Sequence, residues 1–178
     1  MFEFIIKNKI KKFAKKKREP VYKGLEDLKS ILVLFETSDY EYADYFIDRL
    51  LKQNKSVRGC GYRLKDTGFV YSKTSSYIIV PNLDTNKSGV PSSKLLDSLK
   101  GAPYDIIIDL TVNENDTLQY ILGYIDAPLK IGLRKNELPF YDVIITTIPD
   151  NKEGSNASPE SRLGEQIYFY LNAIRTGK

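Results

Sequence analysis

Polar side chains follow directly on the apolar run YDIIIDL, which spans residues 104–110. Asp109 lies near the end of the run, and Thr111 and Asn113 come just after it. Open α/β sheets bind their ligands beyond the carboxyl ends of their strands, so a site is expected at this position. A carboxylate there can polarise water or accept a hydrogen bond from a sugar hydroxyl. The alternative is structural, because aspartates at strand ends also cap turns.

A second polar group follows the apolar run KSILVLFE at residues 29–36, and we expect it to face the first group where the strand order reverses. The crevice residues predicted from the two groups are Thr37, Ser38, Asp39, Glu41, Asp109, Thr111 and Asn113. The turn after residue 36 has no glycine and is rich in carboxylates, which repel phosphate but stabilise the N-terminus of a helix. Binding of NAD, FAD or a P-loop nucleotide is therefore disfavoured, and no cofactor is predicted.

The composition excludes much enzyme chemistry. The 178 residues include no histidine and one cysteine, Cys60. Ser-His-Asp and Cys-His nucleophiles are thereby ruled out, together with the commonest metal ligand. The carboxylates of Asp109, Glu114 and Asp116 match no calcium-loop spacing, so no metal is predicted. A single cysteine forms no intramolecular disulfide, which favours a reducing compartment such as a bacterial cytoplasm.

The first 20 residues, MFEFIIKNKIKKFAKKKREP, carry eight Lys and Arg against two Glu. The spacing of Phe2, Ile6, Ile10 and Phe13 predicts one apolar stripe along a helix that Pro20 ends. The cations predicted to form a basic arm are Lys11, Lys12, Lys15, Lys16, Lys17 and Arg18. Such a helix can dock on the body, on a second subunit in a homo-oligomer, on an anionic membrane surface, or on RNA or the ribosome. We expect an accessory contact outside the core.

Apolar runs and turn residues predict the elements that position these groups. Strands are expected at residues 29–36, 55–63, 76–81, 104–110, 128–133 and 141–149, with a loop at 64–75. Helices are expected at 38–54, 91–99 and 117–124 and from Pro159 onward, with Ser38 or Asp39 capping the first and Asp116 the third. This alternation predicts an α/β fold, a Rossmann-like three-layer sandwich whose mostly parallel sheet has five or six strands in the order 3-2-1-4-5. The predicted organisation is a basic amphipathic helix over residues 1–20 and a single α/β domain over residues 21–178.

The segment YDIIIDLTVNENDTLQYILGYIDAPLKIGL, residues 104–133, resembles part of the Rossmann-like N-terminal half of heptosyltransferase-type glycosyltransferases. This resemblance implies a sugar-type ligand, whereas those enzymes bind their nucleotide-sugar mainly with a second domain that these residues do not include. Their catalytic turn has a glycine where Tyr40 stands here and an aspartate where Glu41 stands. Nearly the whole chain resembles more closely an uncharacterised family of short Bacteroides-type bacterial proteins, a domain of unknown function. The shared features are a basic first helix, the ILVLFE and IDL strands, and a terminal helix of the EQIYFYLNAI type.

Three functions remain open at the level of the sequence. The first is a non-catalytic binding or regulatory protein on a glycosyltransferase-like half-fold. The second is an enzyme, or a subunit of one, that acts on a sugar or nucleotide-sugar in the crevice. The third is a protein recruited by its basic helix to a membrane surface, to RNA or to the ribosome. The expected location is the cytoplasm, with the inner-membrane surface as the alternative.

Overall fold

The computed structural model describes residues 2–64, 76–101, 103–148, 150–151 and 153–175, leaving aside the side chains of Phe2, Glu3 and Asp39. The strands in these ranges are β1 (Ser30–Glu36), β2 (Ser56–Tyr62), β3 (Ser76–Ile79), β4 (Ile106–Asp109), β5 (Leu129–Leu133) and β6 (Val143–Ile145). The α-helices are α1 (Phe2–Ala14), α2 (Tyr40–Leu51), α3 (Ser93–Leu99), α4 (Asp116–Tyr124) and α5 (Pro159–Ala173). Of the loop predicted at residues 64–75, all but Leu64 lies outside the described residues.

The six strands form one parallel sheet in the order β3-β2-β1-β4-β5-β6. The predicted α/β class and three-layer sandwich are confirmed, and β6 extends the predicted strand order. β1 and β4 are neighbours in the middle of the sheet, where Leu34 pairs with Asp109. A parallel strand with helices on both sides is buried on both faces, which explains why these two strands are continuous apolar runs in the sequence.

Each face of the sheet carries its own apolar cluster. On one face, Leu32 and Leu34 of β1 pack among side chains of α1, α3 and α4. On the other face, Ile31, Val33 and Phe35 pack among side chains of α2 and α5. Successive side chains of a strand point to opposite faces, so a single apolar run supplies both clusters. These clusters hold the helices against the two faces of the sheet.

Helix α1 belongs to the core, so the prediction that it lies outside the core is wrong. Ile6 and Ile10 are 1% and 2% exposed, and α1 packs along α4. The ring of Phe13 meets that of Tyr120 edge-on, with the centroids 5.1 Å apart. A Cβ at Gly123 would lie 2.7 Å from the Cβ of Phe13, so a larger residue there would force the two helices apart. Docking on the body is therefore the arrangement that the structure shows.

The end of α1 also differs from the prediction. The helix ends at Ala14, the last buried residue of its stripe, rather than near Pro20. The chain then turns inward, and the Arg18 guanidinium donates hydrogen bonds to the carbonyl of Ala127 at 3.0 Å and to Asp142 Oδ1 at 2.8 Å. Arg18 thus fastens the arm to the body instead of extending its solvent-facing charge. No helix in the described ranges is both long enough and apolar enough to cross a bilayer.

The starts of two helices are shifted as well. A 3-10 turn, Thr37–Asp39, precedes α2, which begins at Tyr40. Helix α4 is capped by Asn115 rather than by Asp116. The backbone of Asn115 is extended, and its Oδ1 accepts a hydrogen bond from the amide nitrogen of Leu118 at 3.1 Å. The identity of the cap matters because the Asn115 side chain also bonds to Glu36 at the end of β1.

Candidate functional site

The candidate crevice lies where β1 and β4 part at their carboxyl ends. After β1 the chain passes to α2 on one face of the sheet, and after β4 it passes to α4 on the other. Neighbouring parallel strands whose connections diverge in this way leave a gap between them, where α/β proteins commonly bind ligands. The structure thus confirms the topology from which the crevice was predicted.

The predicted crevice residues differ in their surroundings. Thr37 is buried, and its Oγ1 accepts a hydrogen bond from the amide nitrogen of Leu64 at 3.2 Å. Three of the predicted residues are exposed to solvent, namely Ser38, Glu41 and Asn113. The side chain of Asp39 lies outside the described part of the chain. As ligand-binding positions these residues stay a prediction.

Asp109 is the centre of a buried hydrogen-bond cluster. Its Oδ1 accepts two hydrogen bonds from Thr111, one from the amide nitrogen at 2.9 Å and one from Oγ1 at 2.6 Å. Its Oδ2 accepts hydrogen bonds from Lys135 Nζ at 2.7 Å and from the Tyr141 hydroxyl at 2.6 Å. The side chains of Asp109 and Lys135 are only 2% and 3% exposed. The cluster therefore ties the end of β4 to the segment that links β5 and β6.

The electrostatics of this cluster favour the ionised form of Asp109. Burial by itself would raise the pKa of the Asp109 carboxyl, but the charge of Lys135 and the hydrogen bonds from its three partners outweigh burial and hold the pKa below its usual value. Burial and the negative charge of Asp109 raise the pKa of Tyr141 well above its ordinary value. Near neutral pH the Asp109 carboxyl is thus ionised and the Tyr141 phenol is neutral.

A glycine in β5 makes room for the cluster. Asp109 pairs with Gly132 across the sheet. A Cβ at Gly132 would lie 2.5 Å from Cε1 of Tyr141 and 3.1 Å from the Cβ of Asp109. The missing side chain lets the Tyr141 ring lie against the strand, with its hydroxyl on the carboxylate.

A second buried carboxylate, Glu36, ends β1 close to this cluster. Its Oε1 accepts a hydrogen bond from Asn115 Nδ2 at 2.9 Å, while the other side-chain atom of that amide caps α4. Burial raises the pKa of Glu36 by more than this hydrogen bond lowers it, and the negative charges of Asp109 and Glu160 raise it further. One amide side chain thus joins β1 to α4 across the gap between β1 and β4.

Replacing Asn115 with alanine is expected to destabilise the protein by about 1 kcal/mol or more, because an N-cap side chain is lost and buried Glu36 loses a donor. The pKa of Glu36 should rise further for the same reason. Thermal and denaturant unfolding measure the stability. Asn113→Ala is the matched control, since Asn113 is exposed two residues away. Equal losses in the two variants would contradict the linking role of Asn115.

A separate cleft of about 210 Å³ opens at the same edge of the sheet. Its walls are α1, the beginning of α4 and the segment after β5. The lining residues are Lys7, Ile10, Lys11, Glu114, Asp116, Gln119, Asn136 and Leu138. The cleft is thus bordered by two lysines of α1, by Glu114 just before α4 and by Asp116 at its start. It also has two amides, with Asn136 Nδ2 3.4 Å from Gln119 Oε1. In the described part of the chain, no three acidic or thiol side chains come together as metal ligands would.

Several of these residues were not predicted from the sequence. Lys135 and Tyr141 follow β5, and the rule that selected Asp109 at the end of β4 would have selected Lys135 as well. The pairing of Lys135 with Asp109, however, depends on the register of β4 and β5. Gln119 and Asn136 carry no motif, and they line a cleft only because α1 docks on α4.

A comparison with known families matches the chain to a family of unknown function (DUF6913). The match runs over residues 3–157, which include the whole sheet, the Asp109 cluster and every residue that lines the cleft. Comparisons with curated proteins and with solved structures each found no match. Because the family model covers most of the 178 residues, the chain belongs to the DUF6913 family, whose function is unknown.

Proposed function

We propose that the protein is a non-catalytic binding protein that takes a small sugar-type ligand at the carboxyl edge of its sheet. The observation that carries this proposal is the saturation of Asp109. An ionised carboxylate offers about four acceptor positions, and Thr111, Lys135 and Tyr141 fill four on Asp109. A general base must accept a proton from the reacting group. Asp109 could do so only by losing a buried hydrogen bond.

The cleft beside α1 is the site that we propose for the ligand. Its volume of about 210 Å³ is below the range of about 300–1,000 Å³ that holds drug-sized ligands. A single sugar ring suits this size, whereas a whole nucleotide-sugar does not. Gln119 and Asn136 offer amide groups for hydroxyl recognition, and the half-buried Leu138 offers apolar contact for a ring face. The resemblance of residues 104–133 to a glycosyltransferase acceptor half supports a sugar as the ligand class.

Thermal unfolding of the full-length protein with glucose, galactose, N-acetylglucosamine and UDP-glucose tests this proposal. We expect a free sugar to raise the free energy of unfolding, by roughly 1.4 kcal/mol at about ten times its dissociation constant. We also expect no release of UDP from UDP-glucose, with or without that sugar. Enzymatic release of UDP would overturn the non-catalytic assignment. No stabilisation by any free sugar would overturn the ligand class.

A pair of variants locates the ligand. Gln119→Leu keeps the side-chain size and removes the amide from the cleft, so the stabilisation by the sugar should disappear. Gln53→Leu is the matched control, because Gln53 is exposed just after α2 and does not line the cleft. If Gln119→Leu keeps the full stabilisation, the ligand does not occupy this cleft.

A further inference from the structure

The outer face of α1 is a charged surface that the proposed function leaves unused. Ile6, Ile10 and Ala14 occupy the inner face against the body. The outer face consists of Phe4, Ile5, Asn8 and Lys12, and Lys15 and Lys17 follow in the chain just after the helix. Most of these positions recur at intervals of three and four, so they line the solvent side of the helix along its length.

This outer face combines exposed cations with exposed apolar side chains. Phe4 is 69% exposed and Ile5 is 46% exposed. Lys12, Lys15 and Lys17 are exposed too, and within the described ranges none of the three forms an ion pair. Lys16 differs, since it lies 3.8 Å from Asp126. The helix thus has an apolar end and a cationic end on the side that faces away from the body.

We infer that the outer face of α1 docks on an anionic lipid bilayer. Lysines attract acidic headgroups, and an aromatic and an aliphatic side chain beside them can enter the acyl boundary. RNA would also attract the lysines, but it offers Ile5 no apolar environment. A domain that binds nucleic acid is moreover commonly basic as a whole, with a pI above about 9. Here residues 21–178 carry fewer Lys and Arg than Asp and Glu, so the cations are concentrated in the first 20 residues.

The packing of α1 makes this surface a preformed one. Isolated amphipathic helices must fold when they bind to lipid, whereas α1 is already held by its buried stripe and by Arg18. Its lysines are therefore presented together. The slightly acidic remainder of the chain is repelled by acidic lipid, which favours an orientation with α1 toward the bilayer.

Flotation of the full-length protein with vesicles tests this inference. We expect binding to vesicles that contain phosphatidylglycerol, no binding to pure phosphatidylcholine, and weaker binding at high salt. Each lysine near an acidic bilayer contributes about fivefold to the affinity, so Lys12→Gln, Lys15→Gln and Lys17→Gln together should weaken binding on the order of 100-fold. These three residues do not line the cleft, so the result is independent of the proposed sugar site.

Two comparisons make the test decisive. Lys29→Gln, Lys52→Gln and Lys94→Gln remove the same charge from exposed positions elsewhere, and this triple variant should bind vesicles nearly as the parent does. Phe4→Ser should weaken vesicle binding roughly tenfold or more and leave any RNA co-sedimentation unchanged. Equal losses in the two triple variants, or no vesicle binding at low salt, would overturn the inference. RNA binding without vesicle binding would assign the surface to RNA instead.

Discussion

Replacing Lys135 with methionine is expected to lower the free energy of unfolding by about 3–5 kcal/mol, because it leaves a buried charge without its partner. The side chains of Lys135 and Asp109 are only 3% and 2% exposed, so water cannot take the place of the lost ammonium. Denaturant unfolding at neutral pH measures the loss. Lys52→Met is the matched control, since the exposed pair of Lys52 with Asp48 should contribute little.

A double variant separates the ion pair from the packing around it. When Lys135→Met is combined with Asp109→Asn, no charge remains in the cluster, so the double variant should recover much of the loss seen in Lys135→Met. Strict additivity of the two single losses would show that the two side chains are not coupled. In that case the contact between Lys135 Nζ and Asp109 Oδ2, at 2.7 Å, would contribute no coupling energy to the stability of the fold.

Acid unfolding offers an independent measure of the same pair. The folded protein holds the pKa of Asp109 below the ordinary value of 3.8, so the unfolded state binds more protons at low pH. The stabilisation is complete above the ordinary pKa and is lost as the pH falls through the lowered one. Lys135→Met removes the main cause of the lowered pKa. Its acid-unfolding midpoint should therefore lie at a higher pH than that of the parent.

The second large effect concerns Lys130. Because of this residue, the free energy of unfolding should rise as the pH increases above neutral. Lys130 is 2% exposed, and its ammonium donates a hydrogen bond to the carbonyl of Leu122 near the end of α4. Burial, followed by the nearby positive charge of Arg18, lowers the pKa of Lys130 to about 7, against the opposing effect of Asp126 and Asp142. A protonated Lys130 is thus costly to the folded state.

The sign of the pH dependence follows from this lowered pKa. Between about pH 7 and the ordinary pKa of 10.5, the unfolded state binds more protons than the folded state, so stability rises with pH. From pH 7 to pH 9 we expect the free energy of unfolding to increase by about 2 kcal/mol. Tyrosines whose pKa is raised, such as Tyr141, titrate above this window. Urea unfolding at a series of pH values measures the slope.

Lys130→Met is the variant that tests the assignment. It removes the buried amine, so the variant should be more stable than the parent at pH 7 and should lose most of the rise toward pH 9. Lys29→Met is the matched control, because Lys29 is exposed, and the rise should persist there. A rise that survives in Lys130→Met would place the titrating group elsewhere.

Local patterns were enough to predict most of the strands and helices. The run at residues 29–36 became β1 and the run at 104–110 became β4, because parallel strands covered on both faces are apolar throughout. The start of α5 was likewise readable from Ser158 and Pro159, whose cap and first-turn preferences depend only on neighbouring residues. The cap of α4 was misplaced by one residue, since Asn115 and Asp116 have similar capping preferences.

Such local patterns could not predict which side chains from distant parts of the chain contact each other. Asp109 was predicted to lie at a ligand crevice, but the sequence contained no sign that Lys135 and Tyr141 would occupy its oxygens. That outcome depends on the pairing of Asp109 with Gly132, which sets the two strand ends side by side. The same holds for α1, whose apolar stripe could dock on the body of the protein, on a second subunit or on a membrane.

The sequence by itself determined the α/β class and the amphipathic character of the first helix, because apolar periodicity and turn residues act over short stretches of chain. It also determined the absence of histidine chemistry, which is a matter of composition. Only the tertiary structure decided that α1 packs on α4, that Asp109 is saturated by Lys135, Thr111 and Tyr141, and that Lys130 is buried. These outcomes depend on contacts between segments far apart in the chain. Their energies depend on burial and distance, which no short stretch of sequence contains.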